Sequence, residues 1–128
     1  MVDPVENWRK SSRYDLRAAS QMLRGGYHIY TIFFCHLAVE KMLKAVTEKV
    51  SGKTPPKTHN LRYLLERAGL KPPQDMFESI GALSDLSIPT RYPLDLESNS
   101  KTYTKERAKE YLRRAKEAVR WIEKSFGS

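Results

Sequence analysis

The length, composition and charge of the chain already exclude several kinds of protein. Its 128 residues, 40% hydrophobic and 30% charged, suit one compact domain over residues 1–128, and the single cysteine excludes an internal disulfide and favours the reducing cytoplasm. No apolar run reaches the ~18 residues of a membrane span, so we expect no membrane association, whereas the net charge of +8 favours nucleic acid, nucleotides or an acidic protein as partners.

Apolar side chains recur at helical spacing along most of the sequence. A first helix is predicted over residues 5–24, and Gly25 and Gly26 end it because glycine enters the left-handed cap conformation at little steric cost. A second helix is predicted over residues 27–50. It is apolar around most of its circumference, so we place it at the centre of the fold and expect another subunit to cover part of its surface.

The middle of the chain alternates shorter predicted helices with proline-rich segments. The paired prolines of residues 53–58 favour a loop, after which residues 61–68 are predicted as a third helix and residues 76–86 as a fourth. Residues 88–103 are expected to be a long irregular stretch, and such stretches in compact domains tend to be either functional or disordered.

The last helix has the clearest pattern in the sequence. Thr104 is a suitable N-cap, and a single apolar stripe follows it. No segment shows the sustained alternation of a β-strand. We therefore predict an all-α protein, an up-and-down helical bundle of four to five helices, three of them long enough to pack antiparallel. The stripe consists of Ala108, Leu112, Ala115, Val119, Ile122 and Phe126.

Half of the net positive charge lies in this last helix. From Thr104 onward there are eight lysines and arginines against four glutamates. A basic helix can follow a phosphate backbone. Here, however, acidic residues interrupt the basic ones, and Glu110 and Arg114 have the i, i+4 spacing of a stabilising ion pair. We therefore favour a solvated outer face over a dedicated nucleic-acid surface.

Three polar side chains form a row on the otherwise apolar second helix. His36, Glu40 and Lys44 are spaced i, i+4, i+8, which puts them on one side of the helix. Buried polar groups need partners, so the row either lines a cleft that binds a ligand or is satisfied internally, with Glu40 paired to Lys44 and His36 bonded within a dimer. Both interpretations stay open. No third or fourth ligand accompanies His36 and Glu40, so we expect no metal and no cofactor.

A second candidate segment is residues 88–93, where a proline on each side restricts the backbone. We expect it to hold Arg91 and Tyr92 in an extended turn. Arg91 offers a planar five-donor fork suited to phosphate, and Tyr92 can stack on a base. The alternative is a structural plug, with Tyr92 packed on the bundle and Arg91 paired with Glu40 or another acid. His59 is interpreted as a helix-start residue that bonds to its loop, not as a catalyst.

The order of several short motifs resembles that of the small stand-alone HEPN proteins of bacteria and archaea (higher eukaryotes and prokaryotes nucleotide-binding domain). The likeness extends over nearly the whole chain and includes the segments that carry Glu40, Lys44, Arg91 and Tyr92. The motifs are, in order, a tryptophan, Asp-Leu-Arg-Ala-Ala (15–19), Gly-Tyr (26–27), Leu-Ala-Val-Glu-Lys-Met-Leu-Lys-Ala (37–45), Pro-Pro-Lys-Thr-His-Asn-Leu (55–61), Thr-Arg-Tyr-Pro (90–93) and a final helix rich in alanine, tyrosine and tryptophan.

The resemblance implies an up-and-down helical bundle that forms a homodimer with a cleft between its subunits. It also implies a minimal nucleotidyltransferase as a partner protein, in some members as a toxin–antitoxin pair. Many HEPN proteins are metal-independent endoribonucleases that use an arginine followed, after four to six residues, by a histidine. In this chain no histidine lies beyond His59, so that motif is absent.

Three hypotheses of function follow from these observations. The first is a dimeric module that binds a nucleotide or RNA phosphate, or a nucleotidyltransferase, without catalysis. In it Arg91 would hold phosphate, Tyr92 would stack, and Glu40 and Lys44, with His36 beside them, would line the cleft. The second is a metal-independent endoribonuclease toxin with an atypical active site, for which the sequence assigns no catalytic residue. The third is an interaction subunit whose apolar second helix assembles a complex.

Overall fold

The computed structural model describes residues 2–93 and 95–127 of the chain. Within these ranges the secondary structure is helical and contains no β-strand, so the predicted all-α class is confirmed. The helices are α1 (Pro4–Gly25), α2 (His28–Ser51), α3 (Leu61–Ala68), α4 (Gln74–Asp85), α5 (Ser87–Arg91), α6 (Leu96–Thr102) and α7 (Lys105–Glu123), followed by one 3₁₀ turn (Lys124–Phe126). None of them combines the length and apolarity needed to cross a bilayer.

Helix α2 occupies the centre of the bundle, as its apolar circumference predicts. It contacts α1 and α7 along its length, and α3, α4, α5 and α6 pack against its other sides. Gly26, with a φ of +84°, closes α1 and lets the chain reverse directly into α2. A polar seam fixes the register of the two helices, because Ser12 Oγ donates to the Ala38 carbonyl at 2.6 Å and Lys41 Nζ lies 2.8 Å from Asp15 Oδ2.

The hydrophobic core forms around α2 and collects one apolar stripe from each long helix. Cys35 lies inside it, and burial raises the pKa of its thiol to about 12, so this side chain is a packed, protonated thiol. Fully buried members supplied by several different helices include Ala19, Ile32, Val39, Met42, Leu43, Leu61, Leu64, Ile80, Ala115 and Ile122.

The predicted irregular stretch over residues 88–103 is wrong. It contains most of α5 and all of α6, which raises the helix count above the predicted four to five. Pro89 is tolerated in α5 because the first-turn N–H groups of a helix have no intrahelical partner. Asp95 caps α6 by accepting from the Ser98 N–H at 3.2 Å. Both helices are short, and α6 buries none of its residues, so neither leaves a helical stripe in the sequence.

Helix α7 is the basic outer helix that the sequence predicts. The Thr104 side chain caps it by accepting from the Arg107 N–H at 3.3 Å. Two of its arginines are paired on the surface: Arg114 Nε lies 2.9 Å from Glu110 Oε1, and Arg113 contacts the same carboxylate. These hydrogen bonds lower the pKa of Glu110 to about 2. The charges of Arg113 and Arg114 are therefore balanced locally.

Candidate functional site

The row of polar side chains on α2 is buried and partly satisfied within the chain. The side chains of His36, Glu40 and Lys44 are 1%, 5% and 9% exposed. Lys44 Nζ donates to Glu40 Oε2 at 3.1 Å, so the pair that the spacing allows is present. The ammonium of Lys44 also lies 5.6 Å from the ring of Trp8, whose indole N–H is bonded to Glu48 on the next turn of α2.

His59 joins this row from the segment that precedes α3. Its Nδ1 lies 2.8 Å from Glu40 Oε1, and its Nε2 lies 3.0 Å from Nη1 of Arg91. The imidazole therefore bridges a buried carboxylate and a guanidinium. About half of the His59 side chain (52%) is exposed, against 5% of Glu40, so His59 carries the cluster from the core to the surface.

The backbone on both sides of the His59 ring is held in place. Asn60 caps α3 by accepting from the Tyr63 N–H at 3.0 Å, and Thr58 Oγ1 accepts from the Asn60 N–H at 3.1 Å. His36 Nε2 lies 3.0 Å from the His59 carbonyl. The interpretation of His59 as a helix-start residue is thus half right, because the neighbouring Asn60 is the N-cap and the His59 ring points to Glu40 instead of the loop.

Donor and acceptor chemistry assigns the protons in this cluster. An ionised Glu40 can only accept hydrogen bonds, so the proton of His59 lies on Nδ1. The guanidinium of Arg91 can only donate, so His59 Nε2 accepts from it. His59 is therefore a neutral imidazole whose tautomer is fixed by Glu40, with a basic Nε2 at the surface.

His36 lies behind His59 and does not reach the surface. Its Nε2 must donate to the His59 carbonyl, which leaves Nδ1 without a hydrogen-bond partner among the described residues, 3.7 Å from Glu40 Oε1. Burial lowers the pKa of His36 below its ordinary value of 6.5, so the ring is neutral near pH 7. Its observed bond is within one chain, unlike the bond within a dimer that the sequence left open.

Arg91 is the last residue of α5, and its guanidinium stacks on an aromatic ring of α2. The guanidinium carbon lies 5.0 Å from the centre of the Phe33 ring. Its Nε is buried and has no hydrogen-bond partner, and no carboxylate lies within 4 Å, among the residues that the structure describes. The alternative in which Arg91 pairs directly with Glu40 is therefore wrong, because His59 stands between them.

The extended turn predicted for residues 91 and 92 is only partly observed. Arg91 has helical backbone geometry, and Tyr92, which ends the helix with φ −127° and ψ 71°, is neither helical nor fully extended. Tyr92 is 64% exposed, so it does not plug the bundle. Tyr92 is part of the lining of the groove described below, and its stacking on a base stays a prediction.

An open groove of about 690 Å³ lies in front of His59 and Arg91. Arg62 closes one side, bonded through both terminal nitrogens to Asp85 at 2.9 and 3.1 Å. Glu40, Lys44 and His36 do not line the groove; they lie beneath His59. The groove is lined by His59, Asn60, Arg62, Ser84, Asp85, Ser87, Ile88, Arg91 and Tyr92.

The arrangement can bind an anion and can also accept a proton. Arg91 offers charge and a planar donor fork that carries no carboxylate among the described residues. His59 Nε2 carries a lone pair that can accept a proton while Nδ1 stays bonded to Glu40. The described residues contain no group of three His, Cys, Asp or Glu side chains arranged to hold a metal ion. The expected independence from metals stays a prediction for solution work.

The fold and the site together define an all-α bundle protein with a buried Glu–Lys pair that is linked through one histidine to a surface arginine. The sequence matches the HEPN domain family over residues 5–125, and the chain belongs to that family. No curated protein matches the sequence.

Two solved structures share the fold over nearly their full lengths. One is TT1696 from Thermus thermophilus, with a TM-score of 0.79 and 26% identity over 96% of this chain and 98% of that one. The other is ST0689, an archaeal HEPN homologue, with a TM-score of 0.77 and 26% identity over 97% of this chain and 98% of that one. The predicted HEPN resemblance is confirmed, and the nucleotidyltransferase-associated branch stays a prediction.

Proposed function

We propose that this HEPN protein is a dimeric module that binds a phosphate of a nucleotide or of RNA in the groove in front of His59 and Arg91. The observation that carries the proposal is the Arg91 guanidinium, which faces His59 Nε2 and no carboxylate among the described residues. Because no carboxylate of the described residues neutralises it, the guanidinium is suited to bind an anion that enters from solvent.

The groove supplies more than one phosphate donor. Arg91 can present two parallel N–H groups to two phosphate oxygens, which matches the geometry of its planar fork. His59 can add a third donor when its Nε2 takes up a proton, because Nδ1 remains bonded to Glu40. Lys44 already neutralises Glu40, so the buried carboxylate opposes an incoming anion less than it would alone.

The homodimer and the nucleotidyltransferase partner belong to the same proposal. Two large apolar side chains in the lining of the groove lie exposed, Ile88 by 70% and Tyr92 by 64%. Clusters of this kind on a soluble surface often mark a protein interface. We assign this rim to contact with a second copy of the chain. If a nucleotidyltransferase bound to the same rim instead, the protein would act purely as an interaction subunit.

Isothermal titration with ATP, AMP and inorganic phosphate tests phosphate binding. We expect Arg91→Ala to weaken binding by roughly 10- to 150-fold, the loss associated with a charged hydrogen bond. Arg120→Ala is the matched control, because Arg120 is an exposed arginine on α7, outside the groove, and should leave affinity within about twofold. No binding at millimolar ligand, or equal losses in both variants, would contradict the proposal.

A metal-independent endoribonuclease is the second candidate, and the bond between Glu40 and His59 beside Arg91 favours it. His59 Nε2 would take the proton of a ribose 2′-hydroxyl, and the 2′-oxygen would form a bond to phosphorus. As the bond from phosphorus to the 5′-oxygen breaks, His59 would return the proton to that oxygen. Arg91 would stabilise the charge on the phosphate, and the products would be a 2′,3′-cyclic phosphate and a 5′-hydroxyl.

Incubation with single-stranded RNA in EDTA separates this activity from binding alone. Cleavage by the wild type that both His59→Ala and Arg91→Ala abolish, with Arg120→Ala active, would establish it. Intact RNA with all four proteins, under conditions in which phosphate binding is measured, would leave the protein a binding module. Cleavage that survives in His59→Ala would exclude the proposed base.

A further inference from the structure

A second cavity, of about 220 Å³, lies outside the groove, between the start of α2 and helix α6. Its walls are mainly aromatic and apolar, and Tyr27 and Tyr30 are 60% and 47% exposed. Two side chains at the cavity, His28 and Ser100, bring polar groups that can bond the edge of a planar ring. The residues that carry the inference are Tyr27, His28, Tyr30, Leu96, Ser100 and Tyr103.

Two arginines without carboxylate partners stack on aromatic rings in or near this cavity. Arg107 stacks over Tyr103, with its guanidinium carbon 5.4 Å from the ring centre, and donates to the Thr102 carbonyl at 2.9 Å. Arg91 stacks over Phe33, which lies one turn along α2 from Tyr30 in the cavity wall. Among the described residues no carboxylate lies within 4 Å of either guanidinium. The cavity therefore combines flat apolar walls with one guanidinium stacked on its wall, that of Arg107, and a second, that of Arg91, about one helical turn away.

The cavity and the phosphate groove are neighbours along α2. Tyr30, in the wall of the cavity, precedes Phe33, beneath Arg91, by three residues, which is about 4.5 Å along the helix axis. The two side chains thus lie on adjacent turns of one face. A ligand that binds both the cavity and the phosphate groove must therefore carry a flat ring and a negative charge about one helical turn apart.

We propose that this cavity takes one base of a single-stranded nucleic acid, whose adjacent phosphates contact Arg91 and Arg107. Aromatic walls between cations are the combination that single strands bind, since bases stack and the backbone follows the positive charge. The inference rests on the proposed phosphate function and specifies its ligand as a strand of several nucleotides. A polyanionic strand also complements the chain's net charge of +8.

Fluorescence anisotropy with two probes of equal charge tests the base subsite. One probe is a labelled, 5′-phosphorylated uridine trinucleotide, and the other is the same sugar-phosphate backbone with no bases. We expect the wild type to bind the first about 5- to 100-fold more tightly, the range that stacking of one base gives. Tyr30→Ala should reduce this ratio nearly to one. The exposure of Tyr30 means that its truncation leaves the core intact.

Two further variants make the result specific. Leu96→Ala, on the opposite wall and 63% exposed, should lower the ratio without changing the affinity for the abasic probe. Tyr14→Ala is the matched control, because Tyr14 is also an exposed tyrosine (66%, against 47% for Tyr30) and lies on α1 outside the cavity. It should retain the full ratio.

The possible failures are distinguishable. If the wild type binds both probes equally and Arg91→Ala weakens both, the base subsite is wrong and the phosphate function stands. If neither probe binds, both proposals are wrong. If the ratio is one and Tyr30→Ala instead separates a dimer in sedimentation, the cavity belongs to a contact between two copies of the chain, and the nucleic-acid assignment is overturned.

Discussion

The side chain of His59 has a different chemical neighbour on each ring nitrogen. Glu40 accepts from Nδ1 inside the protein, and Arg91 donates to Nε2 at the surface. An anion that draws the guanidinium of Arg91 towards itself would free Nε2 to accept a proton. Anion binding and proton chemistry therefore depend on the same imidazole, which is why one set of residues supports both candidate functions.

The bond between Glu40 and Lys44 makes the cluster sensitive to the loss of either charge. In Lys44→Met the buried carboxylate keeps only its bond from His59, so we expect a loss of about 3 kcal/mol in the free energy of unfolding, measured in urea. The double variant Glu40→Leu with Lys44→Met should cost less than the sum of the two single changes, since it leaves no buried charge unpaired. Strictly additive losses would mean that the two groups do not interact.

His36 predicts a pH dependence of stability below its ordinary pKa. Because burial lowers its pKa in the folded state, the unfolded chain binds more protons, and the free energy of unfolding should fall as the pH drops below 6.5. The loss should continue until the pH reaches the lowered pKa, at up to about 1.4 kcal/mol per pH unit. Urea unfolding between pH 7.5 and 5 measures it.

His36→Gln is the informative variant for this test. The glutamine amide can still donate to the His59 carbonyl but does not titrate, so the slope below pH 6.5 should flatten while stability at pH 7.5 changes less. An equal slope in both proteins would assign the pH dependence to another group, His59 or His28.

The candidate site was only partly predictable from the sequence, for a reason that lies in sequence distance. His36, Glu40 and Lys44 share one helix, so their spacing alone places them together. His59 is 19 residues from Glu40, and Arg91 is 32 residues from His59, and no periodic pattern links them. One signal in the sequence did point to a further partner. Lys44 can donate to one carboxylate oxygen of Glu40, so the second oxygen of this buried carboxylate needed another hydrogen-bond donor.

At the scale of the helices, the start of α3 determines where His59 lies. Asn60→Ala removes the cap and should cost about 1 kcal/mol of stability. It should also weaken phosphate binding, because the adjacent His59 loses a fixed backbone. Asp95→Ala removes the equivalent cap of α6, outside the groove, and should lower stability without lowering the affinity for inorganic phosphate. If Asn60→Ala and Asp95→Ala lowered the affinity for phosphate equally, the loss would come from general destabilisation of the fold and not from the position of His59.

The long helices were predictable because each combines an apolar stripe with a recognisable end. The predicted first helix agrees with α1 (Pro4–Gly25) within a residue at each end, the third coincides with α3 (Leu61–Ala68), and Thr104 caps the last helix as its position suggested. Helices α5 and α6 were missed because packing on α2 and a side-chain cap hold them, and neither has the length for a periodic signal.

At the scale of the whole molecule, the surface divides into two parts of different character. On the outer face of α7, Arg113 and Arg114 are paired with Glu110 and Glu117, so the charges of these two arginines are balanced. Beside the groove, in contrast, Arg91 has no carboxylate partner among the described residues, and apolar side chains stand exposed. An anionic ligand and a protein partner are both better suited to this second face.

The exposed rim of the groove leads to a prediction about assembly. If Ile88, 70% exposed on α5, contacts a second copy, the wild type should sediment as a dimer and Ile88→Glu as a monomer, since burying an unpaired carboxylate opposes association. Val50→Glu is the control, because Val50 is nearly as exposed (66%) at the far end of α2. It should leave the dimer intact.

The same experiment separates assembly from ligand binding. The carboxylate introduced by Ile88→Glu would also stand near the groove, so the affinity of that variant for inorganic phosphate is measured beside that of Ile88→Gln, which adds no charge. A monomeric Ile88→Gln that still binds phosphate would make each subunit's groove complete on its own. A wild type that sediments as a monomer at concentrations where phosphate binds would remove the dimer from the proposal and leave the groove of a single chain as the functional unit.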